Sequence, residues 1–216
     1  MLRISFTALA VLLSLAFTPA QASFGDRDSR LDFAVYRDDS EIGTHSYVFH
    51  RKNDALDVTI KTNIAVKVPL VGITLYHFEH EEHETWKNGS LAALQSKTDE
   101  DGTAHHLTVK RDGSKLDVDG DGRTGTSDPS IIPASLWNHG LVDSSVLLNT
   151  LDGREMKIAV AKKGTDKVMV GGSPVQARHF VISGGLKREV WYDGDERLVK
   201  VQFVGKDGST ITYRLQ

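Results

Sequence analysis

The sequence predicts an all-β protein: one strongly curved antiparallel meander sheet, or half-barrel, with a single long covering loop. A β-sandwich is the alternative architecture. Two observations predict this. Apolar and polar residues alternate with period two along most of the chain. Asp-Gly and Gly-Gly dipeptides, which tolerate positive φ and suit tight hairpins, fall between the alternating runs. So many hairpins imply a meander of about ten or more strands, and a sheet of that size curls or closes to protect its edges.

The clearest run is Val58, Ile60, Thr62, Ile64, Val66 and Val68, alternating with Thr59, Lys61, Asn63, Ala65 and Lys67. The C-terminus repeats the pattern with Val199, Val201 and Phe203, then Ile211, Tyr213 and Leu215. Shorter pieces are Leu31-Phe33-Val35, Tyr47-Phe49, Leu107-Val109 and Met156-Ile158-Val160. One face is apolar and the other wet, as in a sheet packed on a single side. The turns fall at Asp101-Gly102, Asp112-Gly113, Asp152-Gly153, Gly171-Gly172, Gly184-Gly185, Asp193-Gly194 and Asp207-Gly208.

Composition removes several function classes. The 216 residues hold 26 Lys+Arg, 29 Asp+Glu and no Cys. A disulfide scaffold, Cys-ligated zinc and a thiol nucleophile are excluded. A net charge of −3 leaves no general attraction for nucleic acid, and no nucleic-acid partner is expected. Residues 1–22 read as a signal peptide. Arg3 is the positive start, residues 4–17 are an uncharged apolar run, and Ala20-Gln21-Ala22 is a cleavage site. That run falls short of the roughly 20 residues needed to span a bilayer, so no transmembrane segment is expected after cleavage. The remainder, residues 23–216, is expected to be a single β domain in the periplasm, with full secretion as the other destination. Its net charge without Arg3 is 25 − 29 = −4.

Residues 120–142 break the rhythm. Pro129 and Pro133 bracket a short apolar piece ending in Trp137, which reads as the long covering loop with one helical turn at residues 134–138. Asp117, Asp119, Asp121 and Asp128 occupy positions one, three, five and twelve of a D-x-D-x-D-G calcium loop. Calcium is therefore a possible cofactor, and the only one. The bidentate Glu is missing, flanking helices are missing, and a polar hairpin tip fits the same residues. Gly120, Gly122 and Gly125 spell G-x-G-x-x-G, but the prolines oppose the helix a dinucleotide site requires.

His77, His80 and His83 alternate with Glu79, Glu81, Glu82 and Glu84. Tyr76, Phe78 and Trp86 share His80's parity, which argues for a strand with a solvated or half-buried face. His77 and His83 would then lie about 20 Å apart, at about 3.3 Å per residue, too far to share one ion. Ser135, His139 and Asp143 are the best candidates for a hydrolase, although chain spacing alone does not make a triad. Leu70, Ile73, Leu75 and Tyr76 form an apolar corner. With Phe78, Trp86, Trp137, Trp191 and Tyr192 they are the candidate contacts for an apolar ligand.

The stretch Glu84-Thr-Trp86-Lys-Asn-Gly89-Ser-Leu91, then Pro133-Ala-Ser135-Leu-Trp137-Asn138, then Trp191-Tyr192-Asp193 and Tyr213-Arg-Leu215 carries a resemblance. It resembles an exported proteobacterial family of unknown function with a curved antiparallel β-domain. More distantly it is similar to periplasmic lipoprotein carriers of the LolA/LolB type. The resemblance implies acyl chains held inside an open barrel. The expected role is thus a non-catalytic module that binds an apolar ligand such as a lipid or acyl chain. An envelope structural or interaction protein with a protein partner is the alternative, and a hydrolase the third.

Overall fold

The computed structural model describes residues 29–67 and 74–216. The proposed signal segment, with Leu70 and Ile73 of the apolar corner, lies outside the described residues. The strands are β1 (Ser29–Arg37), β2 (Ser40–Lys52), β3 (Ala55–Lys67), β4 (Thr74–Lys87), β5 (Ser90–Glu100), β6 (Thr103–Asp112), β7 (Lys115–Gly120) and β8 (Arg123–Ser127). There follow β9 (Ile132–Pro133), a 3-10 helix (His139–Asp143), β10 (Val146–Leu148), β11 (Glu155–Val170), β12 (Ser173–Gly184), β13 (Arg188–Tyr192), β14 (Leu198–Val204) and β15 (Thr210–Leu215). All belong to one sheet in the order β8-β7-β6-β5-β4-β3-β2-β1-β15-β14-β13-β12-β11-β10-β9. The curved meander is therefore the architecture, and the sandwich is not. Each of the seven predicted turn dipeptides separates two neighbouring strands.

The sheet is antiparallel throughout except at its end, where β9 runs parallel to β10. Curling brings its two ends together through side chains rather than a backbone ladder. Arg123 Nη1 and Ser127 Oγ each donate to Glu155 Oε1 at 2.8 Å, tying β8 to β11. At the neighbouring turn the Gly122 amide donates to the Asp152 carbonyl at 3.0 Å. Gly120 permits this approach: a β-carbon there would sit 2.7 Å from the Asp152 oxygen.

Residues 128–151 cover the inside of the curve. The expected loop over 120–142 is corrected here, because its first part is the β7–β8 hairpin. Helix forms at His139–Asp143 and not at residues 134–138. Leu136 takes φ +70°, which ends any earlier turn, and Asn138 caps the helix by accepting from the Gly140 amide. Leu141, Leu147 and Leu148 from this segment are fully buried against Leu94, Leu107, Val109, Leu116 and Val118 of the sheet. Each such side chain contributes about 1.5–3 kcal/mol of burial. Val35, Ile64 and Ile211 form a second, smaller cluster, with Phe78, Phe203 and Tyr213 packed against it.

The segment's carbonyls need donors once they leave water. The sheet supplies them from inward side chains. Tyr47 donates to the Ser135 carbonyl at 2.6 Å and Tyr192 to the Leu136 carbonyl at 2.7 Å. Ser96 donates to the Thr150 carbonyl at 2.5 Å, and Arg111 to that of Pro129 at 2.8 Å.

A candidate binding cleft with a polar floor

Strand β4 turns Phe78, His80, Glu82, Glu84 and Trp86 toward the covering segment. His80 is 8% exposed, and Glu82 and Glu84 are each 1% exposed. The expectation of a solvated or half-buried face therefore holds for His77, Glu79, Glu81 and His83 but fails for these carboxyls. Their parity with Phe78 and Trp86 was the available signal. The density of charge around them hid it.

Glu84 Oε2 accepts from the indole of Trp86 at 2.6 Å and from that of Trp137 at 2.9 Å. The two rings meet edge to face with centroids 5.5 Å apart. Burial, with the neighbouring Glu82, holds the Glu84 pKa well above the ordinary carboxylate range. Burial pushes Glu82 up to about 7. His80 Nε2 lies 3.0 Å from Glu82 Oε2, and its Nδ1 lies 2.7 Å from Thr98 Oγ1. Burial drives His80 down to about 4. On β2, His45 repeats the arrangement, with Nδ1 2.7 Å from Thr62 Oγ1 and its pKa lowered by burial to about 3. Near pH 6 both imidazoles are neutral and the carboxyls are largely protonated. The floor is then an uncharged hydrogen-bonding surface.

Above it lies a cleft of about 370 Å³. Phe78, Ile60, Met156, Leu186, Val201 and Phe203 give apolar walls, with His45, Glu82 and Ser135 among the polar lining residues. His45 Nε2 is buried without a hydrogen-bond partner, and Glu82 Oε1 and Ser135 Oγ are buried with no well-aligned bond, Ser135 lying beside Glu84 and Glu82 beside Glu84 and Thr150. A larger trough of about 830 Å³ runs over Lys61, Glu79, Glu81, Lys97 and Asp99. These are largely solvated side chains: Lys61 and Glu81 pair at 2.9 Å, and Asp99 accepts from the Gly102 amide at 2.7 Å.

The residues singled out from the sequence are dispersed. Phe78 lines the cleft. Trp86 and Trp137 lie in the core, bound to Glu84. Tyr76 is half-buried beside the small cluster, and Leu75 is 64% exposed. Tyr192 anchors the covering segment. Trp191 stacks on His179 at 4.2 Å beneath the ammonium of Lys200, with its indole donating to Asp166.

Ser135 and His139 are not hydrogen-bonded to each other. Ser135 Oγ and His139 Nε2 are both buried without a well-formed hydrogen bond, and His139 Nδ1 instead faces Glu196 at 3.5 Å. Asp117 and Asp119 project outward from β7. Asp121 pairs with His106 at 2.8 Å, and Asp128 accepts from the Ser130 amide at 2.8 Å. The four aspartates are spread over a strand, a turn and a loop. Among the described residues no group of three or more His, Cys, Asp or Glu is placed to hold a metal ion. No helix among them is long and apolar enough to cross a membrane.

Residues 33–216 match the family model of DUF6134, a domain of unknown function, and the chain belongs to that family. No functionally curated protein matches it. Among solved structures it is similar to the crystal structure of a β-barrel-like protein of the domain of unknown function DUF1849 from Brucella abortus. That match has a TM-score of 0.55 and 11% identity, over 88% of this chain and 96% of the other. The likeness supports the fold and nothing finer.

Proposed function

We propose that this member of the DUF6134 family is an exported, non-catalytic binding module that takes an amphipathic small molecule into the cleft beneath residues 128–151. One observation carries the reading: a cleft with both apolar and polar walls is lined by His45, Glu82 and Ser135, residues that each keep a buried polar atom without a well-formed hydrogen bond. A buried polar group left unpaired costs about 1–3 kcal/mol, so a site that keeps such atoms is matched to something that fills it. The cleft volume falls in the range of small-molecule sites, roughly 300–1,000 Å³. The ligand's apolar part would lie against Ile60, Phe78 and Met156. Its polar end would reach the floor.

Export follows from the composition of residues 1–22, and the resemblance to lipoprotein carriers favours the same class of cargo. Native mass spectrometry of protein released gently from its own cells tests the reading. An adduct of lipid-like mass that extracts into organic solvent is expected, and Ala134→Phe, which fills the cleft, should abolish it. An adduct that survives in the filled variant, or a wild-type protein that carries none and binds no amphiphile added back, refutes it.

A further inference from the structure

Two cations line the cleft, Lys187, which is exposed, and Arg188, which is half-buried and has no counterion among the described residues. Arg188 opens β13 and lines the cleft opposite the neutral floor. Its guanidinium lies 3.7 Å over the Phe203 ring. It forms no ion pair among the described residues, and its hydrogen bond there is a donation to the neighbouring Lys187 carbonyl at 2.8 Å. Tyr213 stands beside it: Phe203 and Tyr213 ring centroids are 6.1 Å apart, and Tyr213 reaches on to His45 at 5.2 Å. Burial depresses the Arg188 pKa and raises that of Tyr213, each offset by the other's presence. The acid among the lining residues is Glu82, on the far side of His45, and it is not among the groups that influence Arg188. A guanidinium partly withdrawn from water, with free N–H groups and no carboxylate, costs desolvation that a bound anion returns.

We infer that the ligand is an oxyanion-headed amphiphile, its head group accepting from the Arg188 guanidinium and the Tyr213 hydroxyl and its chain lying along Phe203, Leu186 and Phe78. This rests on the binding-module reading and names its substrate class. Carboxylate and phosphate heads share the required chemistry, because both present oxygens to the guanidinium fork.

Isothermal titration with dodecanoate, dodecyl phosphate, dodecanol and dodecyltrimethylammonium tests it on the full chain. The two anions are expected to bind about 10- to 100-fold tighter than dodecanol, the yield of one charge-assisted contact. The tighter of them names the head group. Arg188→Met should erase that preference, so that the anions bind this variant no tighter than dodecanol does, and Arg188→Lys should retain part of it. Circular dichroism checks that each variant folds. Equal binding of dodecanol and the anions, or an anion preference that survives Arg188→Met, overturns the inference yet leaves the binding module intact. Failure of all four to bind overturns both.

Discussion

Two acidic runs with the same period-two spacing meet opposite fates. On β7, Asp117 and Asp119 alternate with Leu116 and Val118, which are buried, so both carboxylates face water. On β4, Glu82 and Glu84 alternate with Glu81, His83 and Thr85, and here the acids are buried. Spacing is therefore silent about burial. The covering segment decides it. Over β4 it brings the Trp137 indole down to Glu84, 53 positions along the chain. A carboxyl flanked by two indole donors tolerates burial, whereas one without donors does not.

The largest expected effect breaks the β4 side of this contrast. Glu84→Ala leaves two buried indole N–H groups unpaired beside a new cavity and should cost about 3–5 kcal/mol in urea unfolding. Glu84→Gln keeps an acceptor oxygen for both indoles, and a cost of about 1 kcal/mol is expected. Should the two variants be equally damaging, the indole contacts are not what holds the segment.

Proton linkage sharpens the contrast next. Glu82 carries a folded pKa of about 7, raised from 4.5 by burial. The folded state therefore holds a proton that the unfolded state releases as pH rises past 4.5, so this group's contribution falls through that window. His45 and His80 act oppositely. Their folded pKa values of about 3 and about 4 lie below the ordinary 6.5, so their contribution is lost as pH falls below 6.5. The opposing slopes overlap and stability should peak near pH 5–6.5. Glu84, raised further by burial, extends the alkaline fall. Unfolding free energies measured in denaturant should fall as pH rises from 6.5 to 8, and Glu82→Gln should remove only the part of that fall that lies below pH 7, about 0.7 kcal/mol. A profile that rises through pH 8 would contradict the buried, protonated pair.

The covering segment itself is tested by Tyr47→Phe. Loss of its bond to the Ser135 carbonyl should cost about 1–2 kcal/mol and raise hydrogen exchange locally in residues 131–137. The smallest effect belongs to the outer run. Asp119→Ala should change stability by less than about 0.5 kcal/mol. Millimolar calcium should leave the melting temperature within about 1 °C, since a ligand stabilises only as far as it binds the folded state. A larger calcium shift would show that residues 117–128 gather around an ion.

Much of the fold was legible in the chain. Alternation in residues 58–66 and 199–215 gave strands, and the seven turn dipeptides separated them. The site was less legible. Phe78, a candidate contact from the sequence, lines the proposed cleft, and His80 shares its parity but was expected on a solvated or half-buried face. The same parity extends to Glu82 and Glu84, but acidic and imidazole side chains occupy both faces of β4 there, which blurs the apolar signal. Arg188 carries no local mark, because an arginine at the start of a strand is ordinary in any sheet, and Tyr213 shows only as one apolar-face position of the C-terminal alternation.

What the sequence determined by itself was local: strand period, turn positions and which residues share a face. Each follows from backbone geometry over a few residues. Tertiary structure decided which face is covered and what meets there. His45, Glu82, Ser135, Arg188 and Tyr213 come from strands and a loop far apart in the chain. Their convergence depends on how far the sheet curls and where residues 128–151 fold back. That is set by the summed burial of Leu141, Leu147 and Leu148 and by the donors of Tyr47, Tyr192 and Ser96. These contacts are long-range, and no local pattern encodes them.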